Sequence, residues 1–107
     1  MALTRIRWWQ WLPIFRWRVI ATCEAADEVP LKLPRNAAVV VISGGVMKWL
    51  AFDCPCRSGH RVMLPLQGQP HWTLNSLQPL TVAPSVDRHG KGRSCHYFIR
   101  SGGVHWV

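Results

Sequence analysis

The sequence contains little negative charge. Asp and Glu together number five against thirteen Lys and Arg, so the formal net charge is +8. This balance favours an acidic partner, such as nucleic acid, anionic lipid or an acidic protein. The basic residues are scattered singly between Arg5 and Arg100 and form no single run, which argues against nucleic acid. We therefore expect no nucleic-acid partner, whereas attraction to an acidic protein needs no more than this charge.

The sequence also lacks the segments that direct a chain to or across a membrane. No apolar run approaches the ~20 residues of a spanning helix. The uncharged stretch from Trp8 to Phe15 is short, contains Pro13 and is followed by Arg16, and no Ala-x-Ala site follows it. The four cysteines could form two disulfides only in an oxidising compartment, which the chain would need an export signal to reach. We therefore expect a cytoplasmic protein with reduced thiols.

Helical periodicity is scarce, and strand patterns dominate. At 107 residues the chain has the size of a single domain with one core. Phe15, Trp17 and Val19 alternate with arginines, as in a half-buried strand. Further strands are predicted at 38–42, 46–52, 62–66, 71–74, 80–86, 95–100 and 104–107, with glycine turns at 43–45 and 101–103 and loops at 24–35 and 87–94. This pattern predicts a mainly β fold over residues 15–107, a small compact β sandwich or half-open barrel.

Residues 1–14 form a separate N-terminal helix or arm in this prediction. Trp8, Trp11, Leu12 and Phe15 fall at i, i+3, i+4 and i+7, which is the spacing of a short amphipathic helix. Trp8, Trp9 and Trp11 with Arg5 and Arg7 are residues that protein interfaces and membranes favour. Core packing, partner docking and lipid contact all stay open for this segment, in that order.

Cys54-Pro55-Cys56 has the character of half a metal site. Zinc prefers four ligands in a tetrahedron, usually Cys thiolates and His nitrogens. In an extended chain Cys54 and Cys56 point to the same side, and His60 follows across a glycine-containing turn. Cys95 would supply the fourth ligand from the C-terminal part of the chain. The spacing predicts a structural zinc site formed by Cys54, Cys56, His60 and Cys95.

The spacing leaves alternatives for this site. Nothing in it selects His60 over His71 or His89, and buried thiols without a metal are common in protein cores. Cys23 has no partner at a useful spacing and is expected to be a small buried side chain. A catalytic metal with three protein ligands is a further alternative. Thiolate-rich sites are more often structural, and no His-Glu-x-x-His motif occurs.

Ser85 and His96 form a second candidate constellation. Ser85 lies at the end of the predicted strand 80–86, and His96 opens the strand that follows the predicted polar loop, a loop with the composition of a mobile one. Alternation places Cys95 and His96 on opposite faces, so a metal-bound Cys95 leaves His96 available for another role. A strand-end Ser with a strand-borne His is compatible with a nucleophile and its general base. Most Ser and His residues are surface or hydrogen-bonded polar groups, so the residues alone support this weakly.

The order of several short motifs is similar to that of one protein family. The motifs are Cys-Pro-Cys-x-x-Gly-His (54–60), His71-Trp72, Thr-x-x-Pro-Ser-Val (81–86), Cys-His-Tyr-Phe-Ile-Arg (95–100) and Gly-Val-x-Trp (103–106). Together they resemble the BubE-like proteins, a small bacterial family from ubiquitin-like conjugation operons. The resemblance extends from about Glu28 to Val107. That family often has Cys-Pro-Cys-Gly-Cys-Gly where this chain has Arg57-Ser58 in place of Gly-Cys, so either His60 substitutes for the missing thiol or the site is weaker.

The resemblance implies a zinc-stapled β domain that acts as a serine peptidase. Its expected substrate is a ubiquitin-like protein, as a conjugate or a precursor, and its expected partners include the conjugating enzymes. Ser85 would be the nucleophile, His96 the base, and Cys54, Cys56 and Cys95 zinc ligands. A non-catalytic zinc-binding interaction module is the alternative function, and a basic nucleic-acid-binding domain is a weaker one.

The remaining parts of such a catalytic site are not fixed by the sequence. An orienting carboxylate could be Asp87 or Glu28, although a turn residue is the more common role for an Asp at such a position. An oxyanion hole is also required, and the backbone N–H groups of residues 86–89 are candidates by position only.

Overall fold

The computed structural model consists of two four-stranded β-sheets. It describes residues 6–11, 16–57, 59–90 and 93–107, without the side chains of residues 88–90 and 93–94. The strands are β1 (Arg18–Cys23), β2 (Ala37–Ser43), β3 (Val46–Asp53), β4 (Arg61–Pro65), β5 (Thr73–Leu77), β6 (Leu80–Gly90), β7 (Arg93–Arg100) and β8 (Gly103–Trp106). The first sheet has the order β1-β2-β3-β4 and the second the order β5-β6-β7-β8. The two sheets are unclosed and the molecule is compact, so the predicted mainly β sandwich is confirmed.

The first sheet forms because its sequence combines one fully buried strand with amphipathic neighbours. β2 pairs with β1 in parallel and with β3 antiparallel. Its run of Ala and β-branched residues is buried on both faces, which is typical of a central strand. Gly44 and Gly45 connect β2 to β3 with φ values of 60° and 77°, as a two-residue hairpin turn requires. The predicted glycine turn therefore lies where the sequence placed it.

The second sheet contains the longest strands of the fold and corrects one prediction. The described residues of the predicted loop 87–94 belong to strands, because β6 continues to Gly90 and β7 begins at Arg93. The ladder pairs Asp87 with His96 and Gly90 with Arg93. Backbone hydrogen bonds hold the outer part of the β6–β7 hairpin together. A strand held in this way needs no alternation of apolar residues, so the sequence gives no strand signal there. β5 likewise begins and ends later than predicted, at Thr73 and Leu77.

The main core lies between the two sheets. Its largest fully buried side chains include Phe52, Leu50 and Leu64 from the first sheet and Tyr97, Leu80 and Ile99 from the second. The Trp17 ring packs edge-on against Phe52 with 5.4 Å between ring centroids. Backbone hydrogen bonds also join the sheets, because Trp17 N donates to Gly102 O and Leu80 N donates to Trp17 O. The segment that precedes β1 is thereby connected to the hairpin turn between β7 and β8.

The structure describes part of the N-terminal segment for which the sequence predicts a short helix or arm. Residues Trp8–Trp11 form a 3₁₀ turn with no buried residue. Arg5, Leu12, Pro13 and Phe15 lie outside the described residues. A second 3₁₀ turn, Ala26–Glu28, lies within the predicted loop 24–35.

The cysteines and the helices of the described residues are relevant to the predictions on disulfides and membrane spans. All four cysteines are within the described part of the chain, and none of them is in a disulfide. In that same part of the chain no helix has the length and apolar character needed to cross a membrane.

Candidate functional site

The loop between β3 and β4 is shaped by its own backbone hydrogen bonds. Cys54 follows β3 directly, and its N–H donates to the carbonyl of His60, the residue before β4. Arg57 N donates to Cys54 O, which closes a turn around Pro55 and Cys56. Arg57 has a φ of 59° and Gly59 a φ of 89°, so the chain reverses tightly here. Cys54, Cys56 and His60 consequently face one another. The other variable position of the motif, Ser58, lies outside the described residues.

Cys95 from β7 completes a cluster with these three residues. One ligand atom from each of Cys54, Cys56, His60 and Cys95 lies within 4.8 Å of all the others. Ligands of a tetrahedral zinc ion with Zn–S bonds of about 2.3 Å are roughly 3.8 Å apart. The His60 nitrogens are 3.8 Å from Cys56 Sγ. The cluster could therefore bind a metal ion, and the softness of its ligands suits zinc.

Burial makes the Cys54 thiol a weak acid when no metal is bound. Cys54 and Cys95 are buried, whereas Cys56 and His60 are half-buried. Desolvation is the main cause that raises the pKa of Cys54 to about 12. A divalent cation reverses this preference, because its charge stabilises the thiolates and releases their protons. Four protein ligands fill a tetrahedral shell, which is typical of structural zinc sites.

Tyr97 lies beneath the cluster and was not singled out by the sequence. Its hydroxyl is 3.8 Å from Cys54 Sγ, and the side chain is fully buried. Burial, followed by the nearby Cys54, raises the pKa of the Tyr97 hydroxyl well above its usual value. The group is therefore a neutral hydrogen-bond donor. The signal was present in the sequence, since Tyr97 is two residues from Cys95 and hence on the same face of the strand.

The other thiol and histidine candidates lie elsewhere. Cys23 Sγ donates to Ala25 O at 3.3 Å and is buried in a separate apolar cluster on the outer side of the first sheet. His71 is exposed, and its Nδ1 is 2.7 Å from Gly68 O. The side chain of His89 is outside the described residues. Of the described histidines, His60 is the one that joins the cysteine cluster.

Ser85 and His96 are in direct contact on the opposite face of the second sheet. Ser85 Oγ is 2.9 Å from His96 Nε2, and both residues are half-buried. They lie on the neighbouring strands β6 and β7, so the contact is made within the sheet and not across a loop. Successive side chains of a strand alternate between faces, which separates His96 from its neighbours Cys95 and Tyr97. One strand therefore contributes to both constellations.

An irregularity in β6 brings Ser85 to this position. The ladder with β7 runs from Val82 opposite Ile99 to Val86 opposite Tyr97, so four residue steps on β6 face two on β7. Ser85 lies inside this bulge. Bulges re-aim side chains and are frequent next to active sites. Trp72 Nε1 donates to the Ser85 carbonyl oxygen at 3.2 Å and holds the bulge from the β5 side.

Asp87 and Glu28, the two candidate orienting carboxylates, occupy different environments. Asp87 is directly opposite His96 in the β6–β7 ladder. Residues so paired share one face of the sheet, with Cβ atoms about 4.5–5.5 Å apart. Glu28 is buried, and its Oε1 accepts hydrogen bonds from the Glu24 and Ala25 backbone N–H groups. Asp87 is a strand residue and not the turn residue that the sequence favoured.

The predicted oxyanion-hole amides also belong to this strand. Residues 86–89 are all in β6 and pair in register with residues 97–94 of β7. In an antiparallel ladder, alternate residues direct their N–H groups to the partner strand. Only the remaining N–H groups of residues 86–89 point away from β7.

Comparison with known proteins gives one match. A family model described as the bacterial ubiquitination-like system serine protease (BubE) matches residues 25–107, which is most of the chain. No curated protein and no solved structure matches the chain. The matched residues include the cysteine cluster, Ser85 and His96.

Proposed function

The chain belongs to the BubE family of serine proteases from bacterial ubiquitination-like systems, and on this premise we propose that it is a deubiquitinase-like serine peptidase with Ser85 as nucleophile and His96 as general base. The observation that carries the proposal is the 2.9 Å contact between Ser85 Oγ and His96 Nε2. This is the separation at which a base can accept the proton of an attacking hydroxyl. The substrate would be a ubiquitin-like protein, attached to a target or to a C-terminal extension, and its conjugating enzymes would be further partners in the cytoplasm.

The reaction would proceed by acyl transfer. His96 Nε2 takes the proton of Ser85 Oγ as the oxygen attacks the carbonyl at the C-terminus of the ubiquitin-like protein. The tetrahedral intermediate collapses when the protonated His96 gives this proton to the leaving amine, which leaves an ester on Ser85. Water, deprotonated by His96, attacks the ester, and the Ser85 oxygen regains a proton as the acid is released.

Asp87 would orient His96 during these steps. A histidine that accepts the serine proton on Nε2 must carry its own proton on Nδ1. A carboxylate near Nδ1 favours this tautomer and stabilises the imidazolium that forms. Asp87 shares a face with His96 by its place in the ladder, whereas the Glu28 carboxylate oxygen is used by two backbone N–H groups. We therefore assign the orienting role to Asp87.

The negative charge of the tetrahedral intermediate needs hydrogen-bond donors. Backbone N–H groups of residues 86–89 that do not face β7 are the candidates, because they adjoin Ser85 in sequence. Such donors are already in place before the reaction and cost no rearrangement.

The metal site would serve the catalytic pair as a structural support. Cys54, Cys56, His60 and Cys95 would hold a structural zinc ion, which when bound would neutralise the thiolates and connect the β3–β4 loop to β7. Cys95 and Tyr97 flank His96 on the opposite face, and both lie at the cluster. The cluster would thus fix the strand that presents His96 to Ser85.

A serine-directed probe tests this function. A fluorophosphonate, or a ubiquitin-like protein with a C-terminal electrophile, should modify the wild-type protein, and mass spectrometry should place the adduct on Ser85. Ser85→Ala should lose the adduct and the cleavage of a ubiquitin-like fusion, with unchanged metal content and melting temperature. Ser43→Ala removes an exposed hydroxyl at the β2–β3 turn and is the matched control. Wild-type cleavage by Ser85→Ala would refute the assignment.

A non-catalytic interaction module is the second candidate function. The observation in its favour is that the metal cluster is complete without any group from the Ser85–His96 pair. This function predicts bound metal and binding of a ubiquitin-like protein by both wild type and Ser85→Ala, with no adduct on either. The probe experiment distinguishes the two functions directly.

A further inference from the structure

The N-terminal segment presents a large exposed aromatic surface. Trp8, Trp9 and Trp11 have exposed fractions of 77%, 49% and 46%. Indole rings are costly to leave in water, and exposed aromatic groups of this size commonly mark binding surfaces. The segment precedes residue 25, where the family match begins. Neither the metal cluster nor the Ser85–His96 pair uses any of these rings.

The segment is held in place by specific hydrogen bonds. Gln10 Nε2 donates to Ile20 O of β1 at 3.1 Å. The buried Arg18 donates from Nη2 to Gln10 O at 3.0 Å and from Nη1 to Arg35 O at 2.8 Å. These bonds join the turn Trp8–Trp11 to the first sheet. The tryptophans are therefore presented by an ordered platform, which lowers the entropic cost of binding a partner.

A cleft lies between this platform and the turn that joins β5 to β6. Its volume is about 350 Å³, and its lining includes Trp9, Arg16, Ile20 and Pro79. The lining is predominantly apolar, and the volume falls at the small end of the range for ligand pockets, about 300–1,000 Å³. The cleft is open to solvent and has room for a bulky side chain.

The charged residues that line the cleft are both arginines, Arg16 and Arg18. No Asp or Glu occurs before Glu24, whereas the same stretch contains Arg5, Arg7, Arg16 and Arg18. Arg7 and Arg16 are exposed, and Arg18 is committed to the carbonyls of Gln10 and Arg35. A ligand with negative charge beside its apolar group would complement this surface.

From these observations we propose that the Trp8–Trp11 platform and its cleft bind an acidic segment of a partner protein that inserts one bulky apolar side chain. The apolar side chain would enter beside Trp9, and acidic residues next to it would meet Arg7 and Arg16. A membrane surface fits less well. It is too broad to enter a cleft of this size. The proposal does not depend on Ser85 chemistry.

A peptide array tests the proposal. The array displays peptides in which Glu or Asp residues flank one Phe or Leu at varied spacing, together with versions in which the apolar residue is Ala or the acids are Lys. The full-length protein should bind acidic peptides that retain the apolar residue, and binding should weaken as salt rises. Replacement of either feature should lower affinity at least about tenfold.

Matched variants locate the binding surface. Trp9→Ala and Arg16→Glu should each weaken the best peptide at least about tenfold. Leu31→Ala removes another exposed apolar side chain, and Lys32→Glu reverses another exposed charge, so both should bind as the wild type does. Melting temperatures of all four variants check that the fold is retained.

Three results would overturn the proposal. The array could show no acidic peptide bound, or Trp9→Ala and Arg16→Glu could bind like the two control variants. In the third result, the wild-type protein binds vesicles of phosphatidylcholine with phosphatidylglycerol, and Trp9→Ala abolishes this vesicle binding. No peptide competes with the vesicles. That result would identify a lipid surface. Ser85→Ala should bind the peptides as the wild type does. Failure of the peptidase assignment can therefore be distinguished from failure of the peptide-binding proposal.

Discussion

At the residue scale, three neighbouring residues of β7 point to two different faces of the second sheet. Cys95 and Tyr97 point to the core side, at the metal cluster, and His96 points to the other face, at Ser85. The period of two in a strand makes this separation obligatory. An insertion or deletion of one residue would exchange the faces and abolish both sites at once.

Asp87→Asn tests the orienting carboxylate. The amide keeps the shape of the side chain but removes its charge, so it no longer favours the Nδ1 proton of His96 or stabilises the imidazolium. We expect kcat to fall by roughly 10³–10⁴ with little change in KM, as for the equivalent change in known triads. Glu28→Gln should leave kcat unchanged, because the Glu28 carboxylate bonds only to its own loop in the described contacts. Equal kinetics for Asp87→Asn and wild type would contradict the role.

Tyr97→Phe tests the hydroxyl beneath the metal cluster. The ring would keep its packing against Trp106, where the centroids are 5.2 Å apart, but the donor to Cys54 Sγ would be lost. Outer-shell partners of metal ligands commonly contribute 10–100-fold to affinity, so we expect a loss of about tenfold for zinc. Competition with a chromophoric chelator measures the affinity, and a shift of the Co²⁺–thiolate absorption band gives a second readout. Ser85→Ala is the control and should change neither.

At the element scale, two turns of the same type have different packing environments. Gly45 and Gly102 are second residues of two-residue hairpin turns, with φ values of 77° and 80°. No atom lies within 4 Å of a Cβ built on Gly45. A Cβ on Gly102 would be 2.9 Å from Arg16 Cβ and 3.2 Å from Pro79 Cβ. Gly102 therefore lies at a close approach between the segment that precedes β1 and the second sheet.

Comparison of Gly45→Ala with Gly102→Ala isolates the packing contribution. Both changes force alanine into a left-handed conformation, at about 1–2 kcal/mol in free energy of unfolding. Gly102→Ala should cost about 1–3 kcal/mol more, because the methyl group overpacks a close contact. Urea unfolding of the two variants measures the difference. If both variants lose the same stability, the segment that precedes β1 moves away from the turn without a cost in free energy.

At the scale of the whole molecule, the cluster connects distant parts of a small chain. A chain of this length buries a smaller fraction of its surface than a larger domain does, so an additional crosslink has a large relative effect on its stability. The cluster joins the loop after β3 to β7, in the other sheet. A bound metal would be a second connection to the second sheet, in addition to the backbone hydrogen bonds that Trp17 makes with Gly102 and Leu80.

Metal removal is expected to destabilise the fold and the catalytic pair together. A ligand that binds only the folded state adds about 4 kcal/mol when its concentration exceeds Kd a thousandfold. Dialysis against a chelator should lower the melting temperature, expose thiols to a colorimetric reagent and reduce labelling of Ser85. Addition of Zn²⁺ should reverse all three changes, whereas Mg²⁺ should not. An unchanged melting temperature after verified metal loss would show that the cluster is not a staple.

Much of the fold could be predicted from local patterns. The β-branched run became β2, and both predicted glycine turns formed, with positive φ at Gly44, Gly45 and Gly102. The error at residues 87–94 has a physical cause, because polar strands held by backbone bonds leave no apolar alternation to detect. The N-terminal spacing predicted a short helix or arm, and the described residues Trp8–Trp11 form a 3₁₀ helix that is bonded to the first sheet through Gln10 and Arg18.

The sequence by itself determined which residues share a strand face and where the chain turns. It separated Cys95 from His96, because neighbours in a strand point to opposite faces, and it grouped Cys54 with Cys56, because they are two residues apart. Only the tertiary structure decided that His60 and Cys95 complete one cluster, that a bulge brings Ser85 to His96, and that Asp87 lies opposite that histidine. These relations depend on the pairing register of strands distant in sequence, which packing of the whole molecule selects.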